Sequence, residues 1–572
     1  MESSTDTKAI QQTCAECSQS FEVTGNDLQF YDDLSPVFND QKYNLPAPTH
    51  CPDCRQQRRL SHHNEMNLYP GQCGLCERRT LTEYPAHSGK QYYCRECWNS
   101  DKWDPTDYGK EFDFSRPFFE QIQELKMSIP AMALNIQGEI QNSDYIHLAG
   151  SCKNSYLLSH ADFCDECMYG YGFKKNIGCV DGFYNLHSEW CYDSVYVHKC
   201  YGLKGCQDCI NCASSAFLKD CIGCQDCFCC IGLRDKTYCF ENEQLSKEEY
   251  QKKMSAIDLG SYTQYQDWKN KRLEMQKSSI VKEFQGHNLQ NSSGNYLQNC
   301  KDTQESFDCE DIEGGKFCYQ IVLAAKNIYD IYQYGTNLQQ SLECSICGEN
   351  SYHLLFCIDC HMSCSDLSYC WYMDRSKNCF GCADMHDQQY CILNKKYSEE
   401  EYNALVPKII EHMKTTGEWG EFFPKEIAIH GYNKTSAQMY YPLTSEEALS
   451  KKLSWDDSVE ESPNATKVIQ AQQLPDNIKD TPDDILNWAI ACEVTGKPFK
   501  IQKKELEFYR EQTLPIPHKC REQRHYNRFM LRNPRKMWSR ECAKCSKEMR
   551  TTYASDRPET VYCEECYSQT VY

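Results

Sequence analysis

The sequence predicts a mixed, mainly β fold in which a small cysteine-clasped module at each end flanks a duplicated, cysteine-rich β-solenoid-like repeat with helical connectors. Three observations predict it. One pattern brackets the chain: Cys73 and Cys76, seventeen residues, then Cys94 and Cys97; and again Cys542 and Cys545, seventeen residues, then Cys563 and Cys566. Between these brackets, short phrases of a Cys, a polar turn and alternating aromatic or aliphatic residues recur at regular steps. That block then repeats 152 residues later: Cys227, Cys230, Cys239, Ser246 and Glu249 reappear as Cys379, Cys382, Cys391, Ser398 and Glu401.

The first module spans 13–104. Two CxxC pairs at such a distance can set four thiolates around one tetrahedral ion, the geometry of a zinc ribbon. The match between the two ends extends to Tyr84 and Tyr553, each eight residues past the second Cys. Four thiolates close the coordination sphere, so such sites hold structure and leave no place for a reacting water. A further quartet precedes the opening ribbon: Cys14 and Cys17, thirty-three residues, then Cys51 and Cys54. With Phe30-Tyr31 between the pairs and Arg55 after Cys54, this stretch resembles the treble-clef and "probable zinc-binding domain" families. That resemblance implies a metal site. The run Arg55 to Arg59 reads as the solvated face of a short helix, with phosphate contact as the alternative. His62 and His63 read as surface residues beside quartets that are already complete. Residues 105–139 read as a docking helix, with Ser115 as N-cap and Phe118, Phe119, Ile122 and Leu125 on one face.

The solenoid halves are placed at 140–245 and 291–395. Cys167, Cys179 and Cys191 step by twelve, whereas Cys212, Cys221, Cys230 and Cys239 step by nine. Each half ends in a capping box, Ser246 with Glu249 and Ser398 with Glu401. The first opens a helical connector at 246–290. The second opens a helix over about 399–416 within a helical and irregular stretch at 396–453. The 27 central cysteines read first as an inward ladder of buried thiols, since reduced Cys behaves as a small hydrophobe. Additional zinc or an iron–sulfur cluster is the alternative, on runs such as Cys206, Cys209 and Cys212, Cys221, Cys224 and Cys227, or Cys357 and Cys360 with Cys364. Redox or catalytic thiols are a third reading, and His361 beside Cys360 and Cys364 is compatible with several roles.

Residues 454–484 carry eight acids against two lysines and read as an acidic, extended linker. The closing module, 485–572, echoes the first. Cys492 answers Cys14, Phe508-Tyr509 answers Phe30-Tyr31, and Cys520 answers Cys51. Thr495 stands where Cys17 stood, so this copy is expected to have lost its first metal; His518 or His525 completing a site with Cys492 and Cys520 is the alternative. The module is basic, with eleven Lys or Arg against three acids over 519–550. Arg521, Arg524, Arg528, Arg532, Arg535 and Lys536, interleaved with Tyr526, Phe529 and Trp538, are candidates for RNA or single-stranded nucleic acid. Docking of this basic end on the acidic parts of the chain is the equal alternative.

The full layout also resembles a family of large cysteine-rich proteins of small-genome candidate-phylum bacteria. Its motifs are carried here by Trp98 to Asp104, Phe112 to Phe119, and Thr551 to Tyr567. This resemblance implies the layout and no particular activity.

A net charge of -21 argues against wrapping nucleic acid along the whole length. No secretory leader and no apolar run of about 18 residues is visible, so a cytoplasmic protein with no membrane partner is expected. Cysteines without export point to thiols and metal ligands rather than disulfides. The expected cofactor is Zn2+ at three structural sites. No phosphate-cradling loop, open His/carboxylate site or nucleophile–base pair is present, so no enzyme is expected and a small-molecule substrate is disfavoured. The leading expectation is a non-enzymatic scaffold for a macromolecular partner. Nucleic-acid binding, and metal storage or thiol redox chemistry, stand as the alternatives.

Overall fold

Both central halves are built from the same coil, and its geometry follows from a period of three. Every third residue takes a left-handed conformation: Asn154, Leu157, His160, Phe163, Glu166 and Tyr169 have φ between +50° and +56°. The residue after each such bend points inward. In the first half these positions hold Cys152, Leu158, Ala161, Cys164 and Cys167, all buried. A left-handed L-residue costs about 1–2 kcal/mol, so the coil needs compensating interactions at each bend.

Four three-residue sides close one turn of twelve. Strand Tyr156–Ser159 pairs in parallel with Met168–Tyr171, which pairs with Val180–Leu186 and then with Tyr192–His198, always at an offset of twelve. The same offset continues through single bridges, such as Ala216 to Phe228 and Phe228 to Phe240. The nine-residue cysteine step is therefore three sides of an unchanged turn, not a shorter rung. In the second half the offset is twelve at Ser365 to Lys377 and thirteen at Ile328 to Ser341 and Tyr352 to Ser365.

Parallel rungs lie about 4.8 Å apart, and four inward side chains share each layer, so compact residues dominate, and Phe173 is accommodated beside the inward glycines Gly170 and Gly182. The thiols also satisfy the backbone. Cys164 Sγ donates to Asp162 O at 3.5 Å and lies 3.7 Å from Phe173 O on the next turn. Serine does the same work at the same position: Ser155 Oγ donates to Lys153 O at 2.8 Å and Ser188 Oγ to Leu186 O at 2.9 Å. All 27 central cysteines are buried and none is in a disulfide. The buried thiol ladder is thus what the two halves contain. Cys229 alone among them packs on an outer face, against Met275 Sδ at 3.6 Å.

The structure, a computed structural model, describes residues 8–458 and 463–571. It is mainly β, with twelve α-helices among those residues. None of these helices is long and apolar enough to cross a membrane. The chain divides into two compact units: Met1–Leu134 with Phe284–Asp456, and Asn135–Glu283 with Asp457–Tyr572. Each unit joins one terminal module to one solenoid half. The N-terminal module packs on the second half, and the C-terminal module on the first.

Helices close the ends of the coils as their caps dictate. Ser246 and Ser398 both form capping boxes, opening helices Lys247–Met254 and Glu399–Thr416. The connector continues as helix Tyr262–Lys277. In the docking stretch, helix Phe118–Ser128 has Pro117 at its N-cap rather than Ser115. Its free N–H groups are taken by a distant carboxylate instead: Phe118 and Phe119 donate to Glu418 at 2.8 and 2.7 Å. The acidic stretch also differs from an extended linker. Its residues 459–462 lie outside the described residues. Beyond them, Lys467–Gln470 is a strand paired with Trp488–Ala491, and Ala471, Leu474 and Ile478 are buried.

Candidate metal centres

Three quartets bring their sulfurs together: Cys14, Cys17, Cys51 and Cys54; Cys73, Cys76, Cys94 and Cys97; and Cys542, Cys545, Cys563 and Cys566. Within each, the four Sγ atoms lie within 4.8 Å of one another. Each quartet could hold a metal ion. The backbone prepares them. Each CxxC turns tightly, with Ser18 N donating to Cys14 O at 3.0 Å and Glu77 N to Cys73 O at 2.9 Å. The second pair sits where a helix starts, at Cys51 and Cys94, which are the N-caps of Pro52–Leu60 and Arg95–Trp98. Amide groups then point at sulfur: Cys94 N lies 3.2 Å from Cys73 Sγ, and Cys563 N lies 3.3 Å from Cys542 Sγ.

These contacts favour the thiolate at Cys76 and Cys542, while burial and the neighbouring thiols push Cys97 and Cys566 up to about 12. The Arg78 guanidinium, 3.4 Å from Cys76 Sγ, pulls that thiol down to about 6. Burial pushes Cys542 up, but amides of Cys563, Cys545 and Lys544 outweigh it and bring that thiol to about 6. Four thiolates converging with N–H···S support are a donor set that fits a soft or borderline divalent ion. Among the described residues these three are the groups of three or more His, Cys, Asp or Glu side chains that meet this geometry. The central cysteines form no further one. Burial pushes Cys230 and Cys318 up to about 12; at Cys370 burial also pushes up, but hydrogen bonds from Cys357 and Cys382 outweigh it and bring that thiol to about 6. His361 is buried against the rings of Tyr334 and Tyr372, and burial lowers it to about 4.

The basic residues beside the clasps turn inward. Arg55, Arg58 and Arg59 on helix Pro52–Leu60 are 1%, 8% and 0% exposed, so this helix does not present the solvated face its sequence predicts. Arg55 Nε donates to Asp330 at 2.7 Å and Arg59 Nη2 donates to Asp330 at 2.9 Å. Arg58 and Arg59 reach Glu343 at 3.2 and 3.3 Å. His62 and His63 are buried too, His62 against Trp371 and His63 Nε2 at 2.6 Å from Ser345 Oγ.

The closing module repeats the arrangement. On helix Arg521–Phe529, Arg524 and Arg528 are buried, and both reach Asp181, at 3.3 and 2.9 Å. Arg524 also meets Glu505 at 3.2 Å, and Arg528 meets Asp193 at 3.5 Å. Arg532 lies over the rings of Phe183 and Tyr196, 5.0 and 5.6 Å from their centroids. Arg521 pairs with Glu522 at 2.9 Å. Arg535 is half-buried, and Lys536 is exposed, 5.7 Å from the Trp538 ring. Of the six nucleic-acid candidates, the structure brings Arg524, Arg528 and Arg532 onto the solenoid flank of their own unit.

Sequence reasoning missed the acids that receive these arginines. Asp181 and Asp193 stand twelve apart, and Asp330 and Glu343 thirteen apart, so each pair is one turn apart on a solenoid flank. The signal was present as acids spaced by one rung, opposite arginines four and eight residues after Cys51 or Cys520. His518 and His525 do not complete a site with Cys492 and Cys520. His518 stacks on Tyr262 at 3.5 Å, and His525 packs on Tyr171 and Phe183.

No family model matches the chain, and no curated protein matches it.

Proposed function

We propose that this chain is a zinc-binding, non-enzymatic interaction scaffold that presents its solenoid surfaces to a macromolecular partner. The observation that carries this reading is the three all-cysteine quartets, each with its sulfurs within 4.8 Å. Zinc is the ion that such closed, four-thiolate knuckles suit best, because it has no redox chemistry and no geometric demand beyond the tetrahedron. Such ions clasp each terminal module, whose helix then locks onto a solenoid flank through buried Arg–carboxylate pairs. The quartets have no open coordination position, and the remaining cysteines serve the coil interior. A protein partner is favoured over RNA, because arginines at the centre of the basic segment are held by Asp181, Asp193 and Glu505.

The test is photo-crosslinking of the zinc-loaded full chain in its native extract, followed by binding of the purified captured partner. The reading expects saturable binding to the holo chain that is lost when chelation removes the metal. A captured partner that binds the metal-stripped chain equally well, or a chemical turnover by the purified protein, contradicts it.

A further inference from the structure

The closing module keeps the geometry of a fourth clasp without its ligands. Cys492 N donates to Lys497 O at 3.0 Å, as Cys14 N does to Gln19 O at 2.9 Å. Gly496 N donates to Cys492 O at 2.9 Å, as Ser18 N does to Cys14 O at 3.0 Å; the two donors share a left-handed conformation, φ +69° and +59°. Glu493 N donates to His518 O and Ala15 N to Thr49 O, both at 3.0 Å. Arg524 N to Cys520 O and Arg55 N to Cys51 O are likewise both 3.0 Å. Thr495 Oγ1 lies 3.8 Å from Cys520 Sγ, where Cys17 Sγ lies 3.7 Å from Cys51 Sγ. The two knuckles match in these bonds, and the Cys520 amide reaches the Cys492 sulfur, so the backbone sets Cys492 and Cys520 as it sets Cys14 and Cys51.

Two thiols cannot close a tetrahedral site. Gln523 stands at the place of Cys54, and both nearby histidines are engaged with aromatic rings. What remains is a pair of thiols, buried at 3% and 1% exposure, under the exposed Thr495. We propose that Cys492 and Cys520 form a reversible disulfide on exposure to a peroxide, making the degenerate clasp a dithiol site distinct from the three metal quartets. The sulfurs of the intact counterpart lie within 4.8 Å, and a bond of about 2.05 Å would draw the Cys492 knuckle against the N-cap of helix Arg521–Phe529.

The chemistry has distinct roles for the two sulfurs. The Cys492 thiolate attacks one oxygen of hydrogen peroxide, the O–O bond breaks, and the departing hydroxide takes a proton to leave as water. Cys492 is then a sulfenic acid. The Cys520 sulfur attacks it, the S–O bond breaks, and the hydroxyl leaves as water with the Cys520 proton. Two thiols and one peroxide become one disulfide and two waters. Cys492 suits the first role. Burial pushes its thiol up, but the Thr495 hydroxyl and the amides of Cys520, Thr495 and Val494 outweigh it and bring it to about 7. Burial pushes Cys520 up to about 11, so it stays a thiol until the second step. This inference does not depend on the identity of any partner.

The test treats the metal-loaded full chain with stoichiometric hydrogen peroxide, alkylates the free thiols and maps peptides by mass spectrometry. The expected result is a peptide pair joined through Cys492 and Cys520, released by dithiothreitol, with metal content unchanged. Cys520→Ser should instead leave Cys492 as a sulfenic acid trapped by dimedone. Two results overturn the proposal. One is that both thiols remain alkylatable at doses that already strip metal from the quartets. The other is a further bound ion that Cys492→Ser removes while the three quartets keep theirs.

Discussion

Arg528 donates to Asp181 at 2.9 Å with both side chains almost sealed from water, and Arg59 makes the corresponding 2.9 Å contact with Asp330 in the other unit. In each unit the arginine lies eight residues after a knuckle cysteine, and the acid lies on a solenoid flank. The pair ties a clasp to a coil. Removing one partner strands the other charge in a dry site, which costs about 3–5 kcal/mol. Asp181→Ala and Arg59→Ala should each destabilise the holo chain by that order in denaturant titration. A loss below about 1 kcal/mol would place these pairs with exposed surface bridges.

The coil interior accepts a hydroxyl as readily as a thiol, because Ser155 and Ser188 already donate to the carbonyl two residues back. Cys209 Sγ makes that same bond to Gln207 O at 3.3 Å. Cys209→Ser should therefore cost about 1 kcal/mol and leave metal content unchanged. Cys209→Phe should cost more, because its inward neighbours are Cys206 and Cys212, whereas the one ring of this half's interior, Phe173, sits beside the inward glycines Gly170 and Gly182. Loss of bound metal in the serine variant would show that the ladder thiols are ligands.

Much of this architecture was legible in the sequence. The quartets were readable because CxxC spacing encodes a knuckle whatever surrounds it. The capping boxes at Ser246 and Ser398 were readable because they are local. The period of three was obscured because Cys, Ser, Leu, Ala and Phe share the inward position, and a nine-residue cysteine step looks like a rung. The burial of Arg55, Arg58 and Arg59 was not readable from the helix alone, which has no large apolar side to announce a buried face. It depends on Asp330 and Glu343, nearly three hundred residues away.

With Arg524 and Arg528 spent on Asp181 and a net charge of -21, the full chain should not bind RNA. Filter binding or fluorescence anisotropy at 50 mM salt should show no saturation. Binding whose affinity falls steeply with salt, at a slope of several, would contradict this and restore the basic segment as a phosphate site.

Two carboxyls set an acid limit. Burial pushes Glu421 up, but hydrogen bonds from His50, Arg58 and Thr49 and the charge of Arg58 outweigh it, leaving it at about 2. Burial pushes Glu522 up, and the charges of Arg521 and Lys497 outweigh it, again leaving about 2. Both folded values lie below the unfolded value of about 4.3. Their stabilisation is therefore fully present above about pH 4.3 and is lost as pH falls towards 2. Denaturation midpoints should fall across that window, and Glu421→Gln should flatten the fall. An unchanged pH profile in that variant would contradict the assignment.

The most direct measurement is metal content with X-ray absorption on the purified, reduced chain. The account predicts three zinc ions per chain, one for each quartet, each in a sulfur-only shell near about 2.3 Å, and released by chelation only with loss of structure in the terminal modules. A metal-free chain whose terminal modules stay folded would contradict it.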